Sequence, residues 1–216
     1  KASPEILHLL LRGQIDALES LTQAVTALEA GAERLASTIR NSGRIIYCGA
    51  GSSGMAALND GLELPGTFGI DQERINFCIA GGTETLDRLD SRAEDDPEAG
   101  KLAFLALQAT SMDTLVAVSA SGATPYTVAA ARQARESGTT VIALANNAVA
   151  PLLSLADIPV LVATPPELVA GSTRLGAGSA QKAALNMMST LMAIRLGLTH
   201  DGQMVNLNVE NQKLRR

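Results

Sequence analysis

Apolar residues recur every three or four positions from residue 4 to about residue 40, in "PEILHLLLRGQIDALESLTQAVTALEAGAERLASTIRNSG". That spacing predicts an amphipathic helical segment, with Gly13 and Gly31 as the expected breaks. From residue 41 the pattern changes. Short apolar runs, "RIIYC", "INFCIA", "DTLVAVSA", "TVIALA" and "IPVLVA", read as five strands. Helix-period stretches stand between and after them: "SSGMAALNDGLEL", "DPEAGKLAFLALQA", "TPYTVAAARQARESG" and "STRLGAGSAQKAALNMMSTLMAIRLG". The first of these is expected to stop at Pro65-Gly66, because proline disfavours continuing a helix. Strand–helix alternation predicts an α/β fold, a parallel sheet covered by helices on both faces. The expected division is a helical segment over 1–40 and one α/β domain over 41–216. The pattern leaves open whether the first segment packs on the domain or supplies a dimer interface.

In such sheets ligands bind beyond the carboxyl ends of the strands. The loops after Cys48, Ala80, Val118 and Ala163 therefore carry the candidate chemistry. Composition narrows what that chemistry is. The chain has 216 residues, 46% hydrophobic and 18% charged, which is a globular balance with room for a real core. A net charge of −5 argues against a nucleic-acid footprint, which needs a basic patch. With aromatics at 2% and no Trp, a ligand must be gripped by hydrogen bonds and charge rather than by stacking. Cys48 and Cys78 read as buried reduced thiols, and no zinc spacing is present. His8 and His200 lie outside the candidate loops and read as structural or solvent-facing. No signal peptide and no bilayer-length apolar run is seen, so a cytoplasmic protein without a membrane partner is expected.

The first loop, Gly49-Ala50-Gly51-Ser52-Ser53-Gly54, has the GxGxxG form of a dinucleotide site. That form needs an acid at the tip of the second strand to hold the ribose. Here the second strand ends "INFCIAGGT", and Glu84 comes too late. A nicotinamide cofactor is therefore not expected. The loop after the third strand, "SASGATP", repeats the arrangement of small residues, hydroxyls and a glycine before a helix. Thr124 and Pro125 suit an N-cap and a first helical position. Helix starts offer unpaired N–H groups and partial positive charge to an anion. The pair of loops reads as a phosphate cradle built on Gly51, Ser52, Ser53, Ser119, Ser121, Gly122 and Thr124. A third loop, "GSTRLGAGSAQK", opens the last helix in this reading, with Ser172, Arg174 and Lys182 as candidate ligands for an anion. Among the acids, Glu63 follows the first loop by one helix and Glu94 precedes the next helix. Asp95 and Asp96 read as helix N-terminal acids. Two carboxylates converging on one sugar can divide general-acid and general-base work.

The set "GAGSSG", "AGGTETLDRLDSRAED", "ASGATPY", "PPELVAGSTRLGAGSAQK" and "LNMMST" resembles the sugar isomerase (SIS) domain family. Within it, the set is most similar to the N-acetylmuramic acid 6-phosphate etherases. The resemblance implies a flavodoxin-like three-layer sandwich with a five-stranded parallel sheet. It also implies a phosphosugar substrate, no metal or cofactor, and a homodimer. The implied reaction removes D-lactate from N-acetylmuramic acid 6-phosphate by elimination across C2 and C3, followed by addition of water. The family's acid falls on Glu63 and its base on Glu94, 31 residues later. The chain departs from the family's pattern at Met55, Ala123 and Gly176, where basic residues are usual. Arg174 and Lys182 remain, and Arg92 is a substitute cation. A non-catalytic phosphosugar-binding regulator and an aldose–ketose phosphosugar isomerase are the alternatives.

Overall fold

The computed structural model describes residues 3–83 and 91–205; Glu84 lies outside them. Five parallel strands form one sheet: β1 (Ile45–Gly49), β2 (Ile75–Ile79), β3 (Thr114–Ser119), β4 (Thr140–Ala145) and β5 (Ile158–Leu161). Their spatial order is β2-β1-β3-β4-β5. In register, Cys48 of β1 stands opposite Cys78 of β2 and Ala117 of β3. The helices are α1 (Ser3–Glu19), α2 (Val25–Arg40), α3 (Gly51–Phe68), α4 (Pro97–Ala106), α5 (Pro125–Glu136), α6 (Pro151–Leu155) and α7 (Gly176–Arg195). A small hairpin of β6 (Thr199–His200) and β7 (Gln203–Met204) follows. Among the described residues, no helix is long and apolar enough to cross a membrane.

Alternation along the strands divides the core in two. Ile45, Tyr47, Val116, Val118, Ile142 and Leu144 face α2, α3 and α7, while Ile46, Cys48, Leu115, Ala117, Val141 and Ala143 face α4, α5 and α6. The result is the expected three-layer sandwich. Leu28, Leu35 and Ala36 of α2 belong to the first of these cores, so α2 is a packed layer element. α1 lies along α7 and leaves Leu7 and Leu11 exposed.

Two helix boundaries differ from the sequence expectation. Gly13 and Gly31 sit inside α1 and α2, and the break falls at the 3₁₀ turn Ser20–Gln23. Gly31 is a contact point, because a β-carbon there would stand 2.5 Å from Met188 Sδ of α7. Pro65 does not end α3, which runs to Phe68 and closes on Gly69 in the left-handed region (φ 68°), whose N–H bonds the Pro65 carbonyl. A proline in the last turns costs the helix one hydrogen bond, and the αL glycine supplies the stop.

At the amino ends of the strands, buried Asp113 accepts the Arg44 N–H (2.7 Å), the Arg44 guanidinium (2.8 Å) and the Thr110 N–H (2.8 Å). Burial alone would raise the Asp113 pKa. The Arg44 and Thr110 donors outweigh it and hold this carboxyl below its ordinary value.

Candidate functional site

β1 and β3 are neighbours, and the helices that follow them, α3 and α5, lie on opposite faces of the sheet. The first two candidate loops therefore flank one crevice at the point where the strand order reverses, the usual ligand position in this architecture. In the first loop Ala50 is extended and caps α3, and Gly51 takes φ 52°. The first helical bond runs from Gly54 N–H to the Ala50 carbonyl (3.0 Å), so the N–H groups of Gly51, Ser52 and Ser53 precede the helical ladder. Gly49 and Gly54 let strand and helix nearly touch: a β-carbon at residue 54 would lie 3.0 Å from the Gly49 carbonyl carbon. Ser52 is exposed, whereas the Ser53 side chain is buried.

In the second loop Ser119 organises the turn. Its Oγ lies 2.8 Å from Thr124 Oγ1 and accepts the Gly122 N–H at 3.0 Å, while Ser121 Oγ accepts the Ala123 N–H at 3.2 Å. Gly122 has φ 65°, and a β-carbon there would collide with Ala150. Thr124 and Pro125 occupy the N-cap and first position of α5 as expected, but the Thr124 hydroxyl bonds Ser119 instead of capping the helix.

Glu94 joins these loops. It lies half-buried in a 3₁₀ turn, Ser91–Asp95, that packs against α5. A β-carbon on Gly51 would stand 3.5 Å from Glu94 Oε2, so this carboxylate borders the first loop. Asp96 is the N-cap of α4, accepting the Ala99 N–H at 2.9 Å.

The third loop is built otherwise than its sequence suggested. α7 begins at Gly176, so Ser172 and Arg174 lie in turns ahead of it. Its first N–H groups are already taken: Gly176 and Ala177 donate to the Glu167 carboxylate at 3.0 and 2.9 Å. An internal anion thus satisfies this helix start, leaving Arg174 and Lys182 as exposed cations near it. Buried Gln181 ties α7 to the crevice, donating to Asn146 Oδ1 (2.9 Å), whose own backbone N–H bonds the Ala120 carbonyl.

Glu63 is not brought to Glu94 within the chain. It lies twelve residues beyond Gly51 on α3, about 18 Å down the helix axis at 1.5 Å per residue. It is exposed and accepts the Asn59 amide at 3.3 Å. Beside it is a residue the sequence reading passed over. Asp60 is buried, and its carboxylate accepts Tyr47 Oη (2.6 Å), Asn186 Nδ2 (2.7 Å) and Ser189 Oγ (2.9 Å). Burial pushes its pKa up against the pull of those three neutral donors, and the nearby Glu63 charge adds to the rise. Burial, then Asp60, push Tyr47 well up as well. Asp60, Glu63, Asn186, Ser189 and Thr190 line a cavity of about 210 Å³ between α3 and α7. A signal existed: residues 53, 57, 60, 61, 64 and 68 form the buried stripe of α3, and Asp60 falls on it. Cys48 and Cys78 are buried free thiols, with Cys78 Sγ 3.5 Å from Tyr126 Oη. Among the described residues, no cluster of His, Cys, Asp or Glu is arranged to hold a metal ion.

Residues 14–146 match the model of the SIS domain family. The N-acetylmuramic acid 6-phosphate etherase of Deinococcus radiodurans is 40% identical over 99% of this chain and 70% of its own length. Etherases of the same name from Rubrobacter xylanophilus (40%, 98% of this chain, 70% of its own length) and Porphyromonas gingivalis (37%, 99%, 78%) match similarly. The chain belongs to the N-acetylmuramic acid 6-phosphate etherase family of SIS-domain proteins. Solved structures carry the same fold at lower identity. A phosphoheptose isomerase from Francisella tularensis aligns with TM-score 0.69 at 18% identity, over 90% of this chain and all of its own. The Vibrio vulnificus NanR protein, solved with ManNAc-6P, aligns with TM-score 0.60 at 20% identity, over 88% of this chain and 61% of its own. For this etherase-family chain, the crevice between β1 and β3 is where fold and local chemistry coincide.

Proposed function

We propose that this chain is a carbon–oxygen lyase that cleaves the lactyl ether of N-acetylmuramic acid 6-phosphate, giving N-acetylglucosamine 6-phosphate and D-lactate. Membership of the etherase family supports the reaction, and one structural observation carries the site: the Glu94 carboxylate beside Gly51, at the rim of a loop pair rich in N–H groups and hydroxyls. The phosphate of the sugar sits at the starts of α3 and α5, held by the N–H groups of Gly51 to Ser53 and by the hydroxyls of Ser52, Ser53, Ser119, Ser121 and Thr124, with Gly122 shaping the turn. Exposed Arg174 and Lys182, beyond Ser172, face the second anion, the lactyl carboxylate. Glu94 removes the C2 proton as general base. The C2–H pair becomes the C2–C3 double bond as the C3–O bond breaks, and Glu63 protonates the departing lactyl oxygen. Water then adds at C3 and a proton returns to C2. In this reading the protein is cytoplasmic, serves cell-wall recycling and works as a homodimer.

Release of D-lactate from the muramic acid phosphate, followed by an enzyme-coupled assay, tests the reading. A fall in turnover of about 10²- to 10⁴-fold in Glu94→Gln is expected. Binding of the sugar phosphate without release would instead indicate a regulator, and an aldose–ketose interconversion without an acid fragment would indicate an isomerase.

A further inference from the structure

Residues 162–176, between β5 and α7, contain one acid and one base, Glu167 and Arg174. Opposite charges so close along one loop gain by pairing, yet these two do not pair. Both Glu167 oxygens are taken by backbone: Oε2 accepts the Gly176 N–H at 3.0 Å and Oε1 the Ala177 N–H at 2.9 Å. The carboxylate thus neutralises the positive start of a 20-residue helix. Arg174, two residues ahead of that start, is exposed, and among the described residues it forms no ion pair. With the loop's acid engaged by the helix, the guanidinium keeps its charge for an anion from outside the chain.

The same two bonds close the loop at its base. Inside it, the Ser172 N–H bonds the Val169 carbonyl (2.9 Å), the Leu175 N–H the Ser172 carbonyl (3.2 Å) and the Gly178 N–H the Thr173 carbonyl (2.8 Å). Arg174 therefore stands on a closed unit, residues 167–178. The fit at its base is tight, because a β-carbon on Gly176 would lie 3.3 Å from Glu167 Oε2 and 3.1 Å from Ala17 Cβ. Packing adds less. Leu168 leans on α1 at Gly13, but a cavity of about 260 Å³ lies between α1 and residues 165–168. The helix then ties the unit to the crevice. Gln181, one turn beyond Ala177 and fully buried, donates to Asn146, whose N–H bonds Ala120 in the second loop.

We infer that Glu167 is a positioning residue for the lyase reaction: its grip on the start of α7 holds Arg174 where the guanidinium meets the lactyl carboxylate. The inference rests on the proposed function, in which Arg174 faces that second anion. Without the grip the loop gains conformations, and binding must order it again. Steady-state kinetics with the full chain test it. Glu167→Ala is expected to raise KM for N-acetylmuramic acid 6-phosphate about tenfold, with kcat within about twofold of wild type. The inhibition constant of N-acetylglucosamine 6-phosphate, which has the phosphate but no lactyl group, should stay at its wild-type value. Glu167→Gln keeps one acceptor for the two N–H groups and should raise KM less. Arg174→Ala should raise KM at least as much as Glu167→Ala, and the double variant no further than Arg174→Ala alone. A helix cap with no further role would lower the unfolding midpoint and leave KM unchanged, which overturns the inference. An inhibition constant that rises in step with KM overturns it too, by moving the effect to the phosphate loops. So do additive effects of the two substitutions, or a KM unchanged by Arg174→Ala. All four results leave D-lactate release by the wild type intact, whereas its absence removes the lyase reading itself.

Discussion

The crevice between β1 and β3 and the seam between α3 and α7 both hold carboxylates, and they are built on opposite logics. In the crevice the polar groups are backbone N–H and short hydroxyls, and the carboxylate of Glu94 arrives on a turn beside them. Among the described residues, hydroxyls there meet one another, as in the Ser119–Thr124 pair. In the seam, Asp60 has three side-chain donors at 2.6 to 2.9 Å and is closed off from solvent. An open array of donors is ready for a ligand anion, whereas a satisfied buried carboxylate fixes one helix against another. Removing a group from the crevice should therefore cost activity, and removing one from the seam should cost stability.

The largest expected effect is at Glu94. Glu94→Gln should lower D-lactate release by about 10²- to 10⁴-fold. Its urea-unfolding midpoint should stay at the wild-type value, because a half-exposed glutamate on a surface turn contributes little to folding. A clear fall in that midpoint would make Glu94 part of the scaffold and erase the contrast. Asp60→Ala should do the opposite, costing about 3–5 kcal/mol of unfolding free energy because Tyr47, Asn186 and Ser189 lose their shared acceptor. Asp60→Asn keeps an oxygen for Asn186 and Ser189 and should cost about 1 kcal/mol. Equal losses for the two variants would mean that charge, not hydrogen bonding, holds the seam.

A finer test compares Asp60 with a second buried aspartate, Asp113. The folded pKa of Asp113 lies below the ordinary value of about 3.9, because the Arg44 guanidinium and two N–H groups outweigh its burial. Its stabilisation is present above pH 4 and is lost as the pH falls through the folded pKa. Asp60 has neutral donors only, and burial raises it. Its ionisation penalises the fold, so stability declines as the pH rises from the ordinary carboxylate range to the higher folded pKa. Stability curves from pH 3 to 7 should thus diverge. The wild-type advantage over Asp113→Asn shrinks toward acid, and Asp60→Asn gains on wild type toward neutrality. Parallel curves would contradict both assignments.

Much of this architecture was legible in the chain. The strands announced themselves because apolar runs bounded by glycine and hydroxyl loops have few alternatives in a parallel sheet. The two loops were legible because a close strand–helix approach needs glycine, and Gly49 and Gly54 meet it. What was not legible depends on partners that the apolar pattern does not name. Pro65 reads as a stop until Gly69 is seen to close the helix. Glu167 reads as an ordinary surface acid until Gly176 and Ala177, nine and ten residues later, are found donating to it. Glu63 and Glu94 are tied together by chemistry in the sequence, while helix length separates them in space. Asp60 looked like one more polar residue in "LND", although a tyrosine inside an apolar strand, Tyr47, called for a buried acceptor.

The smallest expected effects fall within the crevice and test whether its hydroxyls act as ligands or as structure. Ser119 supports the turn, accepting the Gly122 N–H and meeting Thr124, and it is buried. Ser52 is exposed on the first turn of α3. If both loops hold the phosphate, Ser52→Ala should raise KM for the sugar phosphate several-fold through the loss of one hydrogen bond of about 1–2 kcal/mol. It should leave kcat and the unfolding midpoint nearly unchanged, because binding lost equally in ground and transition states appears in KM. Ser119→Ala should raise KM by a similar factor and also lower the unfolding midpoint slightly, because the Thr124 hydroxyl loses its partner and the Gly122 N–H keeps only the Ser119 carbonyl. A KM unchanged by Ser52→Ala would confine the cradle to backbone N–H groups.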